Sequence, residues 1–240
     1  MTLLIGYRGE FLTILMSDDR VTYHGDKVHF EDGNNKLIEL PNMGWSVASG
    51  LTDFIDAYKL KLAKSDIRSV EDIVNSFSSS IKTAISEKPF LKSDIDNSEI
   101  LATWFGTERD INTLAFHMGL LNKHKVNDNG MAVLQRNNIY IGFPYGFNHD
   151  KIEEYRRKYA TFKDELNLSK ILNFLLQAFY EISSQSDYAN THCDIGIHMF
   201  DSDGIYKIRI SGESKDLLRS DDITKHYEIV DIIKADSDLH

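Results

Sequence analysis

A single cysteine, Cys193, occurs in the 240 residues. That excludes an intramolecular disulfide and a cysteine-based metal cluster, and it fits a reducing compartment. No stretch approaches the roughly 20 consecutive apolar residues that a bilayer-spanning helix needs. The opening residues, Met1 to Arg8, lack the basic segment and apolar run of a secretory leader. A cytoplasmic protein with no membrane partner is the expectation. Basic charge is scarce as well: 27 Lys and Arg stand against 37 Asp and Glu, a formal net charge of -10. Such a surface repels phosphate backbones, so nucleic acid is not an expected partner. Linkers, internal repeats and low-complexity segments are also missing, which predicts one domain over residues 1–240.

What is there is enough to bury a core, with 42% hydrophobic and 27% charged residues. Apolar runs at Leu3–Tyr7, Phe11–Met16, Lys36–Leu40 and Trp45–Ala48 have strand length, and Arg8-Gly9-Glu10 separates the first two as a hairpin turn would. Those first two runs are nearly continuous rather than alternating, which predicts a sheet covered on both faces. Phe54, Ile55, Tyr58 and Leu62 then share one helical face. A second stripe runs through Val70, Ile73, Phe77, Ile81, Ala84 and Ile85, with Ser69 and Asp72 as N-cap and acidic partner, and Pro89 ends it. Strands return at Glu99–Gly106, Thr113–Leu120, Met131–Leu134 and Asn138–Gly142, with Asn127-Asp128-Asn129-Gly130 as a turn. A charged helix over Asp150–Phe162 and an apolar one from Leu168 to Ile182 follow. Asn167 reads as the N-cap of the latter rather than as a glycosylation acceptor. Last come a hairpin, Ile195–Phe200 and Ile205–Ile210 about Asp201-Ser202-Asp203-Gly204, and a short apolar run at Tyr227–Ile233. This order predicts an α+β fold of two stacked sheets with a helical layer on each outer face. His192-Cys193-Asp194 does not read as a metal site, because successive strand residues alternate faces. No metal and no cofactor is expected.

One residue stands out by position. Thr2 follows an initiator methionine, whose removal is favoured before a small residue and leaves threonine with a free α-amine. A threonine hydroxyl is a poor nucleophile until a base takes its proton, and the amine of the same residue can serve. The ordinary pKa of that amine, about 7.7–8.0, suits acid–base work near neutrality. The segments around it carry a resemblance. Thr2-Leu3-Leu4-Ile5-Gly6, then Ser17-Asp18-Asp19-Arg20-Val21-Thr22, then Asn35-Lys36-Leu37 and Ala48-Ser49-Gly50-Leu51-Thr52-Asp53 resemble the opening of proteasome β subunits and their bacterial relatives. The order is the family's and the spacing nearly so. Between Arg20 and Lys36 this chain is two residues longer, in a turn-rich stretch.

The resemblance implies the four-layer αββα sandwich of the N-terminal-nucleophile (Ntn) hydrolases, two antiparallel sheets flanked by helix pairs. It implies a threonine hydrolase that cleaves peptide or amide bonds through an acyl-enzyme ester. Thr2 would attack the carbonyl. Lys36 would favour loss of the hydroxyl proton electrostatically, and Asp18 would hold the Lys36 ammonium. The Gly50 N–H would donate to the developing oxyanion. Arg20 would be a structural pair for a nearby carboxylate. Asp187 matches a family aspartate, although Asn190 stands where a serine follows three residues on, with Thr191 one later. The family also has a serine just before its third helix, and Gly142-Phe143-Pro144-Tyr145-Gly146-Phe147 has none. These departures raise a second expectation, a proteasome-like structural or binding subunit without catalysis. Family members stack into rings, so a homo-oligomer is implied. No residue here identifies an unfoldase partner.

Overall fold

The computed structural model describes residues 2–24, 28–108, 113–122, 131–162, 167–201 and 204–234. Strands β1 (Leu4–Arg8) and β2 (Leu12–Asp18) form a hairpin, closed by the Gly9 N–H on the Leu12 carbonyl at 2.9 Å. Every residue of both is buried, as their unbroken apolar runs require. A second hairpin, β3 (Val21–His24) and β4 (Val28–Glu31), fills the stretch read from sequence as turns. Val28 and Phe30 are exposed there, so the hairpin lies outside the main cores. β5 (Leu37–Glu39) and β6 (Trp45–Ser49) lead into α1 (Thr52–Lys64) and α2 (Val70–Glu87). Ser69 and Asp72 close a reciprocal capping box at the start of α2. A 3-10 turn at Pro89–Leu91 ends it, and the five-residue α3 (Lys92–Asp96) follows.

β7 (Glu99–Glu108) and β8 (Thr113–Asn122) are long antiparallel partners, and β9 (Ala132–Val133) and β10 (Ile139–Gly142) are shorter. The expected turn at residues 127–130 lies outside the described residues. Helix α4 (His149–Lys158) stops before its expected end at Phe162. The chain turns back there: Ala160 accepts from the Ile139 N–H at 2.9 Å, and the Phe162 N–H donates to Asn137 at 3.1 Å. Residues 160–162 thus satisfy their backbone on the strand instead of on another helical turn. α5 (Leu168–Ser183) is capped by Asn167 and buries Ile171, Leu172, Leu175, Leu176, Phe179 and Ile182. The hairpin β11 (His192–Asp201) and β12 (Gly204–Glu213), the short α6 (Ser214–Arg219) and β13 (Glu228–Lys234) complete the chain. Residues 202–203 of that hairpin's turn lie outside the described residues.

All strand pairing among the described residues is antiparallel. One sheet has the order β10-β1-β2-β11-β12-β13 and the other β5-β6-β7-β8-β9. The N-terminal strand therefore sits inside the larger sheet, with Leu4 opposite both Gly142 and Ser17. α4, α5 and α6 share an apolar cluster with the six-stranded sheet, and α1, α2 and α3 share another with the five-stranded sheet. A third cluster joins Leu4 and Leu15 to Leu37, Trp45, Val47, Leu101, Met118 and Leu120 of the other sheet. Polar ties cross the same gap. The Trp45 indole N–H donates to the Ile197 carbonyl at 2.9 Å. Lys207, 1% exposed, reaches Glu39 at 2.8 Å, Asp231 at 2.9 Å and the Pro41 carbonyl at 2.8 Å. No described helix is long and apolar enough to cross a membrane.

Candidate active site

Three strand ends and one loop meet around Thr2. Thr2 precedes β1, Asp18 closes β2, Lys36 leads into β5, and Ser49 and Gly50 lie at the exit of β6. Asp18 is wholly buried. Its Oδ1 accepts from the Leu3 N–H at 2.8 Å, and its Oδ2 accepts from Lys36 Nζ at 3.2 Å and the Arg20 N–H at 3.1 Å. One carboxylate thus ties the residue after Thr2 to a buried lysine. Lys36 Nζ also donates to the Arg20 carbonyl at 2.5 Å. Burial pushes the Asp18 carboxyl up, and the neighbouring Lys36 charge draws it back. The same burial pushes the Lys36 ammonium down, with Asp18 opposing. A lysine held below its ordinary range exchanges a proton closer to neutrality than a solvated one.

Thr2 itself is buried, and its backbone nitrogen donates to Ser49 Oγ at 3.1 Å. Gly50 follows with φ +144, a backbone region that L side chains rarely enter. A Cβ on Gly50 would lie 2.1 Å from Ser98 Oγ and 2.9 Å from Ser98 Cα. α1 begins two residues later, so its positive N-terminal end is directed toward this corner. Gly50→Ala is expected to lower stability by about 2–3 kcal/mol, read as the urea midpoint. Adding Ser98→Gly will leave most of that loss in place, because the φ requirement and the nearby backbone remain.

Arg20 pairs with Asp32 through two parallel bonds, Nε–Oδ1 at 2.7 Å and Nη2–Oδ2 at 2.9 Å. Its third donor, Nη1, meets the Asp187 carbonyl at 2.9 Å, and the guanidinium lies over Phe30 at 5.1 Å. The hydrogen bonds to Asp32 raise Arg20 and those from Arg20 lower Asp32. Arg20 is thus a brace between β3–β4 and the loop before β11, as its sequence role anticipates.

Thr2, Asp18, Lys36 and Gly50 are brought together; Asp187 joins through its backbone, and its side chain is exposed. Asn190 donates its amide to Asp19, while the Thr191 hydroxyl turns away to Glu213 at 2.8 Å. The stretch before α4 supplies core instead of hydroxyls: Phe143 and Phe147 are buried with ring centroids 5.2 Å apart. Ser49 was missed as a site residue. It stands in the quoted Ala48-Ser49-Gly50 segment, but only the packing of one sheet on the other reveals that its hydroxyl faces the Thr2 nitrogen. His192 and Asp194 diverge to Ser211 and Arg209 on β12, and Cys193 is buried with its thiol pushed well up by burial. Among the described residues no group of three His, Cys, Asp or Glu side chains gathers as a metal site.

No family model matches the chain, and no curated protein does. Solved structures do. The chain is similar to the Anbu (Gly-1) mutant from Hyphomicrobium sp. strain MC1, at 11% identity and a TM-score of 0.58, over 91% of this chain and 92% of that one. It is also similar to Anbu, an ancestral beta-subunit, from Yersinia bercovieri, at 9% identity and a TM-score of 0.58, over 98% and 88%. At such identities the likeness speaks for the fold alone: an α+β, proteasome-related fold.

Proposed function

We propose, starting from that proteasome-related fold, that this chain is an N-terminal threonine hydrolase of peptide or amide bonds. The observation that carries the reading is the bridge made by Asp18 between the Leu3 N–H and the Lys36 ammonium. It ties the chain segment bearing Thr2 to a buried cation, the arrangement a hydroxyl nucleophile needs. Thr2 Oγ1 attacks the substrate carbonyl carbon, its proton passes to the Thr2 amine, and the carbonyl electrons move onto oxygen. The Gly50 N–H and the N-terminus of α1 stabilise that oxyanion. Collapse expels the amine fragment, which takes the proton from the Thr2 ammonium and leaves an ester on Thr2. A water, deprotonated by the freed amine, hydrolyses the ester and restores the hydroxyl.

The same reading takes residues 1–240 as a single domain with the four-layer αββα order of the Ntn hydrolases. The three apolar clusters support that order. It also takes the chain as a cytoplasmic homo-oligomer. The second reading, a subunit without catalysis, is favoured by one observation: residues 142–147 bring phenylalanines where the family has a serine.

The experiment is the intact mass of protein from its native cell, followed by reaction with a β-lactone that esterifies N-terminal threonines. A mass lacking one methionine and an adduct mapped to Thr2 are expected. A retained Met1 with no adduct overturns the hydrolase and leaves the non-catalytic subunit.

A further inference from the structure

A cluster of polar side chains lies between the sheets, near Thr2. Ser49 Oγ accepts from the Thr2 nitrogen at 3.1 Å. Ser49 and Glu99 are direct partners in the β6–β7 ladder, so their side chains leave the same face with Cβ atoms about 4.5–5.5 Å apart. That face looks toward β1, since Val47 and Leu101 of the same strands pack on Leu4. The Glu99 carboxylate crosses the gap: the Tyr140 hydroxyl of β10 donates to its Oε2 at 2.7 Å. Its Oε1 lies 2.7 Å from where a Cβ on Gly142 would stand, a point 3.4 Å from Leu4 Cβ. Gly142 therefore makes room for this carboxylate. That places the carboxylate within about 6 Å of Leu4 Cβ, and Leu4 stands two residues, about 7 Å of extended chain, from Thr2, so the two are within about 13 Å. Ser17, opposite Leu4, adds a buried hydroxyl with no hydrogen-bond partner among the described residues.

We propose that Ser49 and the Glu99–Tyr140 pair position the Thr2 amine and set its basicity. This rests on the threonine hydrolase reading. Ser49 orients the amine over its own hydroxyl. Glu99 supplies a negative charge that favours the ammonium and so raises the amine's affinity for the proton it takes from Thr2 Oγ1. Tyr140, whose own ionisation burial and Glu99 both oppose, stays a donor and fixes the carboxylate. Asp18 and Asp19 on the β2 side add to that negative charge, and Lys36 before β5 opposes it. Glu99 is the one carboxylate contributed by β7 at this corner. These are positioning residues; none touches the substrate carbonyl in this scheme.

The test uses full-length protein released from a cleavable fusion so that Thr2 is the first residue, confirmed by intact mass. The amine pKa is read without turnover, by competitive acetic anhydride labelling of Thr2 between about pH 5 and 10. Glu99→Gln is expected to lower it by about one unit, moving the acid limb of β-lactone acylation with it. Ser49→Ala is expected to slow acylation about 10–100-fold with the melting temperature nearly unchanged, and Ser49→Cys to recover part of the rate. Should Glu99→Gln not fold, Ser49→Ala and Ser49→Cys decide. An amine pKa unmoved by Glu99→Gln, or full acylation in Ser49→Ala, overturns the proposal. A pKa that shifts as expected in a parent that never acylates overturns the hydrolase reading and leaves the polar cluster around the amine standing.

Discussion

Replacement of Thr2 by alanine is expected to remove hydrolysis by on the order of 10⁴–10⁶-fold while leaving the fold intact. The two halves of that expectation have separate causes. Catalysis is lost because the alanine carries no hydroxyl to form the ester, and neither Lys36 nor Asp18 is a nucleophile placed to replace it. Stability is kept because the contacts recorded at this corner are main-chain ones. The Thr2 nitrogen still donates to Ser49 and the Leu3 N–H still donates to Asp18. A change within about 1 kcal/mol in the urea transition is expected, together with loss of the β-lactone adduct. Turnover that survives Thr2→Ala would sink the hydrolase.

The second large effect separates the buried ion pair's work from its cost. Asp18→Asn or Lys36→Met alone leaves one charge buried without its partner, at about 3–5 kcal/mol. The double variant is expected to be no less stable than the parent at pH 7, and up to about 1–4 kcal/mol more so. The pKa directions give the sign. Burial raises the Asp18 carboxyl, so its contribution is present below the unfolded carboxylate value and is lost as pH rises through the raised one. Burial lowers the Lys36 ammonium, so its contribution is present above the unfolded lysine value and is lost as pH falls through the lowered one. Where both groups are charged, neither contribution remains. On the hydrolase proposal, the double variant should acylate as poorly as Lys36→Met alone. A double-mutant cycle in urea checks it. A double variant as unstable as the two losses summed would show that no coupling exists.

Much of this was legible in local patterning. The continuous apolar runs of β1 and β2, the Ser69–Asp72 cap and the stripes of α2 and α5 are each decided within a few residues, where burial and capping act. Asp18, Lys36 and Gly50 were singled out only through the resemblance to proteasome β subunits, not by local pattern. What stayed hidden depended on distant partners. Val28 and Phe30 face solvent, so β3–β4 lacks the one-sided burial that marks a strand in sequence. The early end of α4 follows from the offer of backbone partners at residues 137–139, which no helical period records. Ser49 and Glu99 acquire meaning only from the register of β6 with β7 and from the close approach of β1. Arg20 found Asp32 within the same hairpin region, but its hold on the Asp187 carbonyl spans 167 positions.

The placement of β1 has a further consequence, one of timing. β1 is held between β10 and β2, and β2 pairs with β11, so Leu4 meets Gly142 and Asp18 meets Cys193. β1 and β2 can pair as soon as they are made, but a ribosome must deliver about three-fifths of the polypeptide before β1 meets β10 and about four-fifths before β2 meets β11. Such distant pairings close slowly, since the intervening loop must be ordered first. The six-stranded sheet thus closes around the Thr2 segment only when most of the protein exists to contain it.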